Sequence, residues 1–345
     1  MGTINRYLYP IISANNNKIP KNIYLLKEIT KDSYAHVILN NTFTIFESIN
    51  QITYLIYCNK NNSIISYNLE NNQIINEIKN QHNEYITNFH HFLDKDNKRD
   101  LIMTTSLDDN NIRIWNCLNW ECILNLPNIN TKGYLYSSCF LYTNNNIFII
   151  TCNFNLMDDP EAVKIYDIKG TKISEIKNSN KVTYIIESYY DIKNNKNYII
   201  TGTLGSVISY DFESKELYHE YKDNNEVTHL GFLIHERKNV INLIESGFDG
   251  NIRLWNFHTG NLIKKIKICK WLTSLCLLND DVLLVGCYDK SIKVVDIKNG
   301  VVINCLKGHT DWVLTLKTIN LSNYGKCLIS HGRKNDQIKI WIIEN

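Results

Sequence analysis

Asp109-Asn110-Asn111-Ile112-Arg113-Ile114-Trp115-Asn116 and Asp249-Gly250-Asn251-Ile252-Arg253-Leu254-Trp255-Asn256 carry one pattern at two places in the chain. Turn-forming residues lead into a segment that alternates apolar and polar side chains, then ends on Trp and Asn. Side chains of a strand point to opposite faces with a period of two, so this alternation predicts a half-buried strand after a tight turn. The first copy follows an apolar run, Leu101-Ile102-Met103-Thr104-Thr105-Ser106, which predicts a neighbouring strand. Together they make an antiparallel pair.

The pattern recurs along the chain. Good copies are Asp289-Lys290-Ser291-Ile292-Lys293-Val294-Val295-Asp296 and Gln337-Ile338-Lys339-Ile340-Trp341-Ile342. Weaker ones are Ile64-Ile65-Ser66-Tyr67-Asn68, Val163-Lys164-Ile165-Tyr166-Asp167 and Val207-Ile208-Ser209-Tyr210-Asp211. Successive copies are 40 to 51 residues apart. That period suits a blade of four short strands. The predicted fold class is therefore all-β, a single seven-bladed β-propeller of four-stranded antiparallel blades. The length of 345 residues would otherwise suggest two domains, but each repeat adds its own share of core.

The outer strand of each blade should begin near Gln73, Glu121, Thr171, Lys215, Asn261 and Val301. These make six, and the seventh blade runs to the last residues of the sequence. A matching strand lies near the start, Asn22-Ile23-Tyr24-Leu25-Leu26-Lys27-Glu28-Ile29. It is expected to complete the last blade beside Ile338 to Ile342 and so cover a bare sheet edge. This divides the chain into an N-terminal arm, 1–21, and a propeller, 22–345.

Gly308-His309-Thr310-Asp311-Trp312-Val313, followed downstream by Trp341, is the fullest copy of a second motif. With it the chain resembles a WD40-repeat protein over about residues 22 to 345. The signature Trp stands in three blades only, at Trp115, Trp255 and Trp341, and Asn or Ile often replaces the Asp the family prefers. The resemblance implies a hydrogen-bonded network inside a blade, since a buried indole N–H and a buried imidazole both need partners. Blade 2 would build it from His82, Thr105, Asp109 and Trp115. Blade 7 would use His309, Ser330 and Trp341, with Asn335 at the Asp position.

The resemblance also implies a top face formed by the loops that enter each innermost strand. The residues there are Tyr34, Tyr85, Tyr134, Lys181, Glu226, Trp271 and Trp312, joined by Asp108, Phe248 and Tyr288 from the neighbouring turns. Aromatic side chains bury much area with little rotamer entropy, so this ring is the candidate protein- or peptide-binding surface.

Charge excludes some classes. Lys plus Arg is 37 and Asp plus Glu is 35, a net charge of +2, so nucleic acid is not an expected partner. No run of about 18 apolar residues occurs, so no membrane span is expected. The N-terminus lacks the basic start and apolar block of a secretory signal, and the expected location is cytoplasmic, with the nucleus as alternative. The ten cysteines include no C-x-x-C pair and several sit in apolar runs, as reduced thiols do; neither zinc nor another metal is expected. Asn clusters suit turns between strands. The polar stretches Asp94 to Asp100, Asp191 to Asn197 and Asn153 to Glu161 are expected to be solvated loops.

Enzyme signatures are missing from the sequence. There is no G-x-S-x-G elbow, and His235-Glu236 is followed by Arg237-Lys238-Asn239 and not by the spacing of a zinc protease. The expectation is a non-enzyme without cofactors: a scaffold or adaptor, monomeric within a larger complex, that binds a protein or peptide. The alternatives are a ubiquitin-ligase substrate receptor, a phosphoinositide-binding propeller and an enzymatic propeller. Members of the family that dock on a cullin adaptor carry Arg two residues after the Trp-Asp pair. Here Leu118, His258 and Glu344 stand in those places. The lipid-binding F-R-R-G motif is also missing.

Overall fold

The structure is a computed structural model that describes residues 19–29, 41–79, 82, 86–106, 110–127, 134–154, 162–177, 182–223, 229–237, 240–334 and 336–344. Strand β1 (Asn22–Ile29) comes first. Blade 1 follows as β2 (Phe43–Glu47), β3 (Thr53–Cys58), β4 (Ile64–Asn68) and β5 (Gln73–Ile78). Blade 2 is β6 (Ile86–Asp94), β7 (Arg99–Ser106), β8 (Ile112–Asn116) and β9 (Glu121–Leu126). Blade 3 is β10 (Tyr134–Thr143), β11 (Asn146–Phe154), β12 (Ala162–Asp167) and β13 (Lys172–Lys177). Blade 4 is β14 (Thr183–Asp191), β15 (Lys196–Thr203), β16 (Val207–Asp211) and β17 (Leu217–Tyr221). Blade 5 is β18 (His229–Arg237), β19 (Val240–Gly247), β20 (Asn251–Asn256) and β21 (Leu262–Lys267). Blade 6 is β22 (Leu272–Leu277), β23 (Val282–Cys287), β24 (Ile292–Asp296) and β25 (Val301–Leu306). Blade 7 is β26 (Val313–Leu321), β27 (Gly325–Gly332) and β28 (Ile338–Glu344), completed by β1.

The result is a seven-bladed β-propeller of four-stranded antiparallel sheets. The innermost strands pack against one another around the ring, and β26 meets β2 to close it. The expected N-terminal strand has the expected bounds. It pairs antiparallel with β28 from Asn22 opposite Glu344 to Ile29 opposite Ile338. Three of the outer strands begin one or two residues later than expected, at Lys172, Leu217 and Leu262. A residue of positive φ turns the chain ahead of each of these strands: Gly170, Lys215 and Gly260.

The core does not sit inside the blades. The seven apolar clusters of buried side chains each lie between two neighbouring blades. A strand with apolar side chains on both faces, such as β3 or β7, is therefore buried on both. The outer strands face solvent and alternate, as in β21, where Ile266 is buried and Leu262 and Lys265 are exposed. Asn62, Asn72, Asn110, Asn144, Asn145 and Asn195 take left-handed backbone, which accounts for Asn clusters between strands.

In blades 2 to 7 a bulge falls two residues into the innermost strand, as between Leu272 and Ser274 and between Val313 and Thr315. A bulge turns the local strand and re-aims its side chains. These bulges sit at the end of the blade where the chain enters, beside the candidate binding residues.

Candidate functional site

The network inside the blades is a support: in blade 2 the hydroxyl comes from the residue before the expected one, and in blade 7 His309, Ser330 and Trp341 meet as expected. In blade 2 the indole N–H of Trp115 donates to Thr104 Oγ1 at 2.9 Å, and His82 Nε2 lies 2.9 Å from the same oxygen. Thr105, the expected member, points to the other face and hydrogen-bonds Ser138 of blade 3. Strand alternation makes this unavoidable, because a slip of one residue exchanges the two faces. Asp109 lies outside the described residues. In blade 7 the carboxylate comes from Asp336 and not from position 335, which also lies outside them.

Blade 7 holds a complete chain. Trp341 Nε1 donates to Ser330 Oγ at 2.7 Å, Ser330 Oγ lies 2.7 Å from His309 Nε2, and His309 Nδ1 lies 2.8 Å from Asp336 Oδ2. Burial works against the charge of Asp336, but His309 and the N–H groups of Asp311 and Thr310 outweigh it and hold the carboxyl at about 2. Gly332 makes room, since a Cβ there would stand 2.1 Å from Asp336 Oδ2. The order Asp, His, Ser imitates a hydrolytic triad, yet Ser330 is fully buried and its hydroxyl is engaged by Trp341. Trp115→Phe removes the N–H that Thr104 accepts and leaves a void. We expect a loss of about 2–3 kcal/mol with partner specificity unchanged, read from urea midpoints and a binding assay.

The axis of the ring is crossed by Glu187 of β14. Its Oε2 lies 3.2 Å from His90 Nε2 on β6, and its Oε1 accepts from Asn41 Nδ2 at 3.4 Å. Glu187 belongs to blade 4, His90 to blade 2, and Asn41 leads into blade 1, so Glu187 reaches both from a blade that adjoins neither. Burial disfavours the Glu187 carboxylate, but His90, Lys317 and Asn41 outweigh it and keep its pKa below the ordinary value. Among the described residues, no cluster of three His, Cys, Asp or Glu side chains could hold a metal ion.

Four of the expected top-face residues form one continuous ridge. Trp271 precedes β22 and Trp312 precedes β26. Phe248 follows β19 and Tyr288 follows β23. Inner and second strands run antiparallel, so these positions share one end of the blades. The ladder itself extends to them: Tyr288 N–H donates to Trp271 O at 3.2 Å, and Arg333 N–H to Trp312 O at 2.8 Å. Ring centroids are 5.9 Å apart for Phe248 and Trp271, 4.3 Å for Trp271 and Tyr288, and 4.1 Å for Tyr288 and Trp312. The ridge crosses from blade 5 through blade 6 to blade 7, and all four rings remain partly exposed. Gly250 fixes one end of it. At φ 74° its Cα approaches the Cys269 carbonyl so closely that a Cβ would stand 1.8 Å from the oxygen. Ile268 N–H also bonds Gly250 O at 3.0 Å, which holds the loop that presents Trp271.

Two cations lie over rings of the ridge, one on Trp312 at its blade 7 end and one on Trp271 beside Phe248. The Arg333 guanidinium carbon lies 4.3 Å from the Trp312 ring centroid, and Lys270 Nζ lies 5.5 Å from that of Trp271. Neither was singled out in the sequence, although each directly adjoins a ridge position in chain or ladder. Tyr34, Tyr85, Lys181, Glu226 and Asp108 lie outside the described residues, and of Tyr134 only its place at the start of β10 is described. Compared with protein-family models and with curated proteins, the chain matches none.

Proposed function

We propose that this propeller is a non-catalytic docking platform of the WD40 kind, which binds a protein or peptide through the top face of blades 5 to 7. The observation that carries the reading is the ridge of Phe248, Trp271, Tyr288 and Trp312. Large aromatic side chains left partly exposed in a contiguous row are the usual anchors of protein interfaces. The Asp336–His309–Ser330–Trp341 chain supports the WD40 assignment, because the resemblance implies that network in a blade. β-Propellers commonly serve as interaction scaffolds, and the fold adds that weight by analogy.

The test uses the full-length protein as bait in lysate of the source cell, beside a Trp271→Ala/Trp312→Ala variant shown to melt normally. Quantitative mass spectrometry should find partners that the wild type retains and the variant loses by roughly tenfold or more, the size typical of anchor residues. Partners retained equally by both would move the working surface away from the ridge.

A further inference from the structure

We infer that the ridge takes an acidic peptide, an extended segment with an apolar or aromatic side chain flanked by carboxylates. The inference rests on the docking reading above and adds the chemistry of the occupant.

Charge complementarity carries it. The carboxylates nearest the ridge are already engaged within the protein. Asp249 is held by Arg253 and Asn251, and Asp336 by His309 and backbone N–H groups. Asp289 faces Lys293 at 3.2 Å, and Asp311 accepts the N–H of Trp312 at 2.8 Å. The cations are not so engaged. Among the described residues, Lys270 and Arg333 make no ion pair, and Arg333 Nε is buried without a hydrogen-bond partner. Stacking on an indole face holds a guanidinium in place while leaving its in-plane N–H donors free, and those donors match a carboxylate. The ridge therefore presents a row of rings with a cation outside any ion pair over Trp312 and another over Trp271.

An acidic segment satisfies both parts at once. Its central side chain packs on Trp271, Tyr288 and Trp312 while its carboxylates reach Arg333 on one side and Lys270 on the other. A nucleic acid strand would also stack on aromatic rings, but its phosphates need a continuous track of cations. Here the two stacked cations stand on separate rings and form no continuous track, and the whole protein has a net charge of only +2.

The experiment is fluorescence anisotropy with the full-length protein and four labelled probes. The first is a synthetic peptide with a central Phe flanked by Glu on both sides. The second and third replace every Glu with Lys or with Gln, and the fourth is oligo-uridylate. The Glu peptide should bind at least roughly tenfold tighter than the Gln peptide, weaken with added salt, and exceed the Lys peptide further. Arg333→Glu should reverse the order of the Glu and Lys peptides while leaving thermal unfolding unchanged. Equal binding of the three peptides, lost in Trp271→Ala/Trp312→Ala, would overturn the acidic preference and leave peptide docking standing. Tighter binding of oligo-uridylate than of any peptide would overturn both readings, as would no binding of any probe.

Discussion

Removal of residues 1–29 is expected to abolish most of the folding stability and to drive the protein into aggregates. Strand β1 contributes to two of the seven blade interfaces at once. Ile23, 9% exposed, belongs to the cluster between blades 6 and 7, and Ile29, 3% exposed, to that between blades 7 and 1. Burying two such side chains is worth about 3–6 kcal/mol together, before the β1–β28 ladder is counted. Ladder hydrogen bonds add about 0.5–1.5 kcal/mol each, so the loss is on the order of the whole stability of a domain. Glu28 would also leave Lys339, which is 98% buried as a side chain, without its carboxylate. The truncated chain exposes the edge of β28, whose free N–H and C=O groups template further pairing. Light scattering and urea unfolding give the readout, and a synthetic peptide spanning 19–29, added in trans, should restore monomer. A truncated protein that melts like the full chain would sink the closure.

The architecture was legible because it is written as a period. Ile112-Arg113-Ile114-Trp115 and Ile252-Arg253-Leu254-Trp255 are strands whose alternation needs no tertiary information, and counting their spacing yields the blade number. The closing strand was legible from the imbalance of outer strands. The site was harder for a physical reason. Which of Thr104 and Thr105 serves Trp115 depends on strand register, and adjacent threonines in an apolar run are equivalent to any pattern until the ladder pairs Thr104 with Arg113. Charged groups in the middle of strands are a further usable signal. Glu187 on β14 and Glu245 on β19 interrupt apolar segments, and a carboxylate there demands a cation from elsewhere. For Glu245 the cation is its cross-strand partner Arg253, and for Glu187 it is Lys317, with His90 as a hydrogen-bond partner across the ring. Sequence spacing reports the first kind of pair and is silent on the second.

The same logic connects fold to function. Strand β27 ends in Gly332 and Arg333 follows it, so the residue that admits Asp336 into the blade 7 network directly precedes the cation stacked on Trp312. The buried network and the exposed ridge are thus two sides of one turn. Changes within the network should alter stability first, and changes on the ridge should alter binding first.

Arg253→Met is expected to cost about 3–5 kcal/mol, the largest effect of any single side chain away from the closure. Arg253 is fully buried and faces three carboxylates: Asp223 at 2.9 Å, Glu245 at 3.5 Å and Asp249. Glu245 is itself fully buried, and its Oε1 accepts the Trp255 indole N–H at 3.4 Å. It stands where blade 2 has Thr104, so blade 5 replaces a hydroxyl acceptor with a charged one and needs the guanidinium to neutralise it. Methionine fills much of the volume but takes the guanidinium away from Glu245 and Asp249, while Asp223 keeps Lys265. The pH dependence separates this from a packing defect. Burial tends to raise the Asp249 carboxyl, yet Arg253 and Asn251 outweigh it and hold it below the ordinary value. A depressed carboxyl contributes stability that is present above its unfolded pKa and is lost as pH falls through the folded value. In the variant the stranded carboxylates instead take up protons, so the gap between wild type and variant should narrow from neutral pH toward about pH 4. Glu245→Thr in the Arg253→Met background removes one stranded charge and restores a hydroxyl near Trp255. It should recover about half of the loss, a coupling that urea unfolding of the single and double variants would measure. A gap that stays constant from neutral to acid pH, with no recovery in the double variant, would mean that Arg253 acts by its bulk alone.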